Sequence, residues 1–148
     1  MKWVTRANAK VDRVACPWLI KRYVDPDAQF LFVPPDQVLA TAKRDGARSF
    51  DADGAEFGHE GSNCTFETMM ERFNLDDPVL RRLAATVHGA DIPEEIDMTP
   101  ESAGLRAVAE GLAAVEKDDH RKLEVLFPVY DALYAYFAAA DRKPPEEG

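Results

Sequence analysis

The stretch WVTRANAKVDRVACPWLIKRYVDPDAQFLFV, residues 3–33, decides the fold class. Trp3–Arg6 and Gln29–Val33 are short runs rich in β-branched and aromatic residues, which favour strands. Between them, Cys16–Pro17 is expected to open a helix, because the missing N–H of a proline costs nothing in the first turn. A strand, a helix and a strand in this order predict a small and partly parallel sheet.

The chain beyond this stretch predicts one more strand and then mainly helices. Arg48–Asp51 is a candidate third strand, followed by the turn signal Asp53-Gly54. From Thr65 onward the apolar residues recur at helical spacing in four successive segments. The expected fold class is α+β and mostly helical, with a small N-terminal sheet and its helices followed by a four-helix C-terminal portion.

Length and composition indicate one globular domain. The chain has 148 residues, of which 46% are hydrophobic and 30% charged, as in ordinary globular proteins. With no repeat or linker in view, residues 1–140 are predicted to form a single domain and residues 141–148 a flexible polar tail. No apolar run approaches the roughly 20 residues of a membrane span, and the N-terminus lacks the pattern of a secretory signal. A cytoplasmic protein without membrane contact is expected.

The charge distribution bears on the partners. A formal net charge of −9 argues against direct nucleic-acid binding, which depends on Lys and Arg. The first 24 residues are nevertheless basic, so they could face a small anion or pair with carboxylates of the same molecule. The two cysteines suggest no disulfide framework.

Four residues are candidate metal ligands. His59 lies in the loop Gly58–Gly61, where glycines allow the backbone to approach a bound group. His88 and Asp91 are three residues apart on one predicted helix, an arrangement by which helical proteins present two ligands to one metal. Glu67 follows the His59 loop closely in sequence. The structural alternatives are a surface histidine, a core histidine bonded to its neighbour, and a glutamate that caps a helix.

The composition of this set limits the metal. Two imidazoles and two carboxylates suit one divalent transition metal, Fe, Mn or Zn, and disfavour calcium. The absence of CxxC pairs from the sequence disfavours a closed zinc–thiolate site.

A second candidate site lies in the basic first segment. Arg6, Arg13 and the N-terminus of the helix predicted at Cys16 could form a cradle for an oxyanion. The same surroundings, with Arg22, would lower the pKa of the Cys16 thiol and make it reactive. The alternative is that Cys16 is a small buried hydrophobic residue, as free cysteines usually are.

An ordered set of motifs connects these residues to a known family. The motifs are VDRVACPWLIKR at 11–22, FD at 50–51, FGH at 57–59, TFE at 65–67 and VHGAD at 87–91. From about Trp3 to about Tyr136 the chain thereby resembles the C-terminal domain of the ChrB chromate-resistance proteins. The resemblance implies a role in bacterial chromate resistance, and longer members are described as chromate-responsive regulators. The four candidate metal ligands fall on recurring polar positions of that family.

Three functional hypotheses follow from residues and resemblance together. The first is a metal-binding cytoplasmic domain that acts in chromate resistance or oxidative-stress handling. A metal-dependent oxidoreductase is one form of this hypothesis. The second is a non-catalytic module that senses chromate or another oxyanion and works with a regulator. The third is a protein that serves only as an interaction partner of a separate regulator.

Overall fold

The computed structural model describes residues 1–142. Among them are three strands and six α-helices: β1 Lys2–Arg6, α1 Asp12–Leu19, β2 Gln29–Val33, α2 Val38–Asp45, β3 Arg48–Ser49, α3 Thr65–Arg72, α4 Pro78–Asp91, α5 Ser102–Val115 and α6 Asp119–Arg142. This order confirms the predicted α+β, mostly helical class, with four helices after the sheet.

The sheet is parallel, and β1 is its central strand. β1 pairs with β2 on one side, with Trp3 opposite Phe30, and with β3 on the other, with Val4 opposite Ser49. Three consecutive residues of β1, Trp3 to Thr5, are buried, as expected for a parallel strand that is covered on both faces.

The start of α1 differs from the prediction. The helix begins at Asp12, so Cys16 and Pro17 lie in its interior and both are buried. Pro17 removes one interior backbone hydrogen bond, a cost that the packing of the helix outweighs. The helix then loosens into a π-helical turn over Ile20–Val24.

Helix α6 packs against α1 and α4. Over Asp119–Asp141 it is also long and apolar enough to cross a membrane. Leu126, Tyr130 and Phe137 on one stripe of α6 are buried. The Tyr130 ring lies 6.1 Å from that of Trp18, which follows Pro17 in α1. One stripe of α6 therefore packs on the apolar core, while most residues of the helix are not buried.

The predicted flexible tail lies almost entirely outside the described residues. Its first two residues, 141 and 142, belong to α6. The structure therefore says nothing about the tail from residue 143 onward.

Candidate metal centre

His59 reaches the domain from the loop that joins the sheet to α3. Gly61, with a φ of 58°, makes a tight turn two residues later, and Glu60 pairs with Asn63 across it. The His59 side chain is 49% exposed. Its Nε2 atom lies 3.4 Å from a carboxylate oxygen of Asp91. Two of the four predicted ligands, His59 and Asp91, therefore lie next to each other.

Asp12 completes this group from the first turn of α1. One oxygen, Oδ2, lies 3.8 Å from His59 Nε2 and accepts a hydrogen bond of 2.9 Å from the backbone N–H of Thr65. The other, Oδ1, is buried and has no hydrogen-bond partner among the described residues. Burial raises the pKa of Asp12 well above its ordinary value, and the nearby charges of Asp91 and Asp51 raise it further.

Asp91 and Asp51 add two more carboxylates to the same surroundings. Asp91, the last residue of α4, has its pKa raised by burial and then by the charge of Asp51. Asp51 adopts a left-handed backbone with a φ of 50°, which aspartate tolerates better than most residues. One of its oxygens lies 3.7 Å from His59 Nε2 and accepts a 2.8 Å hydrogen bond from the Thr65 hydroxyl.

Two arginines neutralise part of this negative charge. Arg6 Nη2 and Arg13 Nε lie 3.3 Å and 3.4 Å from the second oxygen of Asp51. Both arginines, together with Lys10 and Arg106, line a cavity of about 340 Å³ that also borders the three aspartates and His59. Burial, and next the charge of Arg6, lowers the pKa of Arg13. Four cationic side chains therefore line the same cavity as the three aspartates and His59.

A second group contains the other two predicted ligands. His88 Nδ1 lies 2.5 Å from a carboxylate oxygen of Glu67, and the other ring nitrogen, Nε2, contacts Glu95. The thiol of Cys64 lies within 4.8 Å of both His88 and Glu67 ligand atoms. Burial lowers the pKa of His88, but its hydrogen bonds to Glu67 and Glu95 outweigh burial, and the pKa is raised overall.

The structure therefore does not assemble the four predicted ligands in one group. His59 and Asp91 belong with Asp12, whereas Glu67 and His88 belong with Cys64. His88 and Asp91 do lie one turn apart on α4, but each contacts a different set of neighbours.

The predicted reactive thiol loses its structural basis. Cys16 lies inside α1 rather than at a helix N-terminus, and it is fully buried. Burial, and next the charge of Asp12, raises the pKa of this thiol well above its ordinary value. Arg22 belongs to the π-helical turn and pairs with Asp131 of α6 at 2.9 Å. Of the predicted oxyanion-binding residues, Arg6 and Arg13 alone line the cavity beside His59.

Sequence reasoning missed Asp12 and Asp51 as members of the first group and Glu95 as a partner of His88. A signal existed for the first two, because both lie inside the motifs quoted above, at 11–22 and 50–51. Glu95 lies in a short 3-10 segment, Pro93–Glu95, where no local pattern marks it.

Comparison with known proteins adds a family assignment to this geometry. The family model described as the ChrB C-terminal domain matches residues 3–137. Protein ChrB of Cupriavidus metallidurans is 37% identical over 145 residues, which are 96% of this chain but 42% of that protein, so the chain spans about two fifths of its length. No solved structure matches. With the match covering nearly the whole chain, this protein belongs to the family of the ChrB C-terminal domain.

Proposed function

We propose that the domain binds one divalent transition metal, Fe, Mn or Zn, through Asp12, His59 and Asp91, and acts in chromate resistance or oxidative-stress handling. The observation that supports the metal most is the approach of carboxylate oxygens of Asp91 and Asp12 to His59 Nε2, at 3.4 Å and 3.8 Å. The other Asp12 oxygen, Oδ1, is buried and has no hydrogen-bond partner among residues 1–142. A buried carboxylate oxygen without a hydrogen bond is costly, and a bound cation removes that cost.

The donor set fits such an ion. Ligand atoms of Asp12, His59 and Asp91 lie within 4.8 Å of one another, so small side-chain movements would bring them around one ion. One imidazole and two carboxylates suit Fe, Mn or Zn better than calcium. Asp51, whose oxygens already accept from Thr65 and the arginines, would hold its neighbours in place from outside the coordination shell.

The surroundings indicate the class of substrate. His59 is half exposed and borders the cavity, so a metal held here would keep a position open toward solvent. An ion with an open position binds an oxyanion or a reduced oxygen species directly, and a redox-active ion would make the domain an oxidoreductase. Lys10 and Arg106, which line the cavity, would attract an anion. Membership of the ChrB family supports chromate as that anion.

Elemental analysis of protein purified without chelators tests this assignment. The Asp91→Asn variant removes a proposed ligand, and Asp53→Asn, which changes an exposed carboxylate of the neighbouring turn, is the matched control. We expect wild type and Asp53→Asn to bind the metal at this site and Asp91→Asn to lose it. Equal metal content in all three proteins would show that Asp91 is not a ligand.

An oxyanion sensor is a second candidate function, and the four cations around the cavity favour it. A sensor of this kind would bind chromate after complete removal of metal. Its affinity for chromate would fall when Arg13 is changed to alanine. The expected loss is about 1.5–3 kcal/mol for one charged hydrogen bond. Arg13 and Arg6 are already engaged with Asp51, so an anion would have to compete with that carboxylate. This competition favours the metal-binding function.

Titration of chromate into metal-free and metal-loaded protein separates the two functions. Metal-dependent binding supports the metal centre. Equal binding in both forms, lost in Arg13→Ala, supports the sensor.

A further inference from the structure

We propose a second and separate metal site at Cys64, Glu67 and His88, suited to a thiolate-binding divalent ion such as Zn²⁺. This second site goes beyond the function proposed above, because it shares no ligand with the site at Asp12, His59 and Asp91. It consists of one sulfur, one nitrogen and one oxygen donor, a mixed set that zinc accepts.

Two helices bring the three donors together. Cys64 precedes α3 and Glu67 lies in its first turn, where its carboxylate accepts a 2.9 Å hydrogen bond from the Cys64 backbone N–H. This capping arrangement fixes the Glu67 carboxylate beside the thiol. His88 on α4 completes the group, with Nδ1 2.5 Å from the same Glu67 oxygen. An ion between them would require the two side chains to separate only slightly, because ligands of a tetrahedral zinc ion lie about 3.3 Å apart.

A contact between Glu95 and His88 supports His88 as a metal ligand. Glu95 contacts Nε2 of His88, whereas Glu67 contacts the other ring nitrogen, Nδ1. Metal-binding histidines almost always donate their second N–H to a carboxylate or carbonyl, which orients the ring and raises its basicity. The geometry gives Glu95 that positioning role.

Gly89 explains how Glu95 comes so close to α4. A Cβ atom at this position would lie 2.9 Å from the backbone oxygen of Glu95 and 2.4 Å from the hydroxyl oxygen of Ser102. The absent side chain thus lets the segment Pro93–Glu95 fold back against the helix that carries His88.

Metal binding also requires contact with solvent and the release of protons. Glu67, one of the three donors, lines a cavity of about 560 Å³ together with Asn63. Cys64 is a buried thiol and His88 Nδ1 faces a carboxylate of Glu67, so binding forms a metal–sulfur and a metal–nitrogen bond and releases both the thiol proton and the Nδ1 proton to solvent. Nε2 of His88 keeps its proton and donates it to Glu95. The competing description has no metal and a protonated His88 that donates to Glu67 and Glu95 at once.

Cobalt titration of the full chain distinguishes these descriptions. A thiolate bound to Co²⁺ gives a near-ultraviolet charge-transfer band, which carboxylate and imidazole ligands do not produce. We expect this band in wild type, its loss in Cys64→Ser, and its retention in Cys16→Ala, which removes the other buried thiol. Glu95→Gln should keep the band but weaken Co²⁺ affinity about 10- to 100-fold, as expected for a residue that orients a ligand. Circular dichroism confirms that each variant is folded.

The outcomes also separate this inference from the proposed function. Asp91→Asn should retain the band, because the first group contains no cysteine. A band in wild type with no metal at the first group would overturn the proposed function and leave this site standing. Folded wild type that binds no Co²⁺ through sulfur, or a band that survives in Cys64→Ser, would overturn the second site and favour the protonated histidine.

Discussion

Asp12 is buried in the first turn of α1 beside two further aspartates. If the Asp12 carboxylate serves to bind a metal, its burial destabilises the metal-free protein, because no bound ion compensates for the lost solvation. Changing Asp12 to asparagine keeps the shape and removes the charge. We expect metal-free Asp12→Asn to be more stable than metal-free wild type, because burial and the charges of Asp91 and Asp51 disfavour the ionised carboxylate. The same variant should no longer bind metal at this group.

Urea unfolding of both proteins in the presence of a chelator measures the difference. Asp53→Asn is again the control and should match wild type. A metal-free Asp12→Asn protein less stable than wild type by several kcal/mol would show that the charge of Asp12 is structural.

The two thiols lead to a prediction that replaces the one drawn from sequence. Cys16 and Cys64 are both fully buried, and burial is the first cause that raises the pKa of each. Because the thiolate is the reactive form, both should react slowly with iodoacetamide at pH 7 in native, metal-free protein and rapidly in denaturant. Mass spectrometry after timed quenching measures each site. Rapid native labelling of Cys16 would restore the reactive thiol inferred from sequence.

Most of the helices and strands were predictable, because their signals are local. Asp77 accepts a hydrogen bond from the Val79 N–H and caps α4, and aspartate is a residue type that commonly marks a helix start in sequence. Gly46, with a φ of 62°, ends α2, and glycine is the residue that most often takes this left-handed position after a helix. The predicted start of α1 was wrong. Proline prefers the first turn of helices only on average, whereas the buried residues from Val14 onward stabilise this helix by tertiary packing.

Asp119, in the first turn of α6, ties that helix to the loop before α1. Its carboxylate accepts hydrogen bonds of 2.9 Å and 2.8 Å from the N–H groups of Asn8 and Ala9, and one of 3.0 Å from Lys122. Burial raises the pKa of Asp119, but these donors outweigh burial and the pKa is lowered overall. A lowered folded-state pKa means that the ionised form stabilises the fold.

This stabilisation should be fully present above the ordinary pKa of 3.8 and lost as the pH falls from there through the folded-state value. Asp119→Asn should therefore cost about 1–3 kcal/mol at pH 7, with a smaller difference from wild type below about pH 4. Denaturant unfolding at a series of pH values measures it, with Glu124→Gln, an exposed change on the same helix, as control. A constant difference across the acidic range would contradict the role of the Asp119 charge.

Gly89 provides a test of the contact between α4 and the segment after it. Alanine here would place a methyl group 2.4 Å from the Ser102 hydroxyl oxygen and 2.9 Å from the Glu95 carbonyl oxygen. We expect Gly89→Ala to destabilise the domain by about 1–3 kcal/mol, the usual cost of overpacking. Gly111→Ala in α5, where a Cβ meets open space, should be neutral or stabilising. Thermal unfolding compares the two, and equal stability would mean that the close approach is not maintained.

At the scale of the whole molecule, the site could be predicted only in part. Sequence spacing connected His59 with Glu67 and His88 with Asp91, whereas the structure places His59 with Asp91 and Glu67 with His88. Spacing also could not show that α1 brings Asp12 to His59. His88 and Asp91 are neighbours on α4, yet the loop and α3 approach that helix at different points and divide the predicted ligands into two groups. Such a division depends on tertiary packing, which local patterns do not contain.

The central claim is that a metal ion binds among Asp12, His59 and Asp91, and anomalous diffraction from crystals grown with Mn²⁺ tests it most directly. Mn²⁺ prefers carboxylate and imidazole ligands to thiolate, so it should favour this group over the one at Cys64. We predict one anomalous peak within coordination distance of His59 Nε2 and of carboxylate oxygens of Asp12 and Asp91. Well-ordered Mn²⁺-grown crystals with no peak at these three residues would contradict the claim.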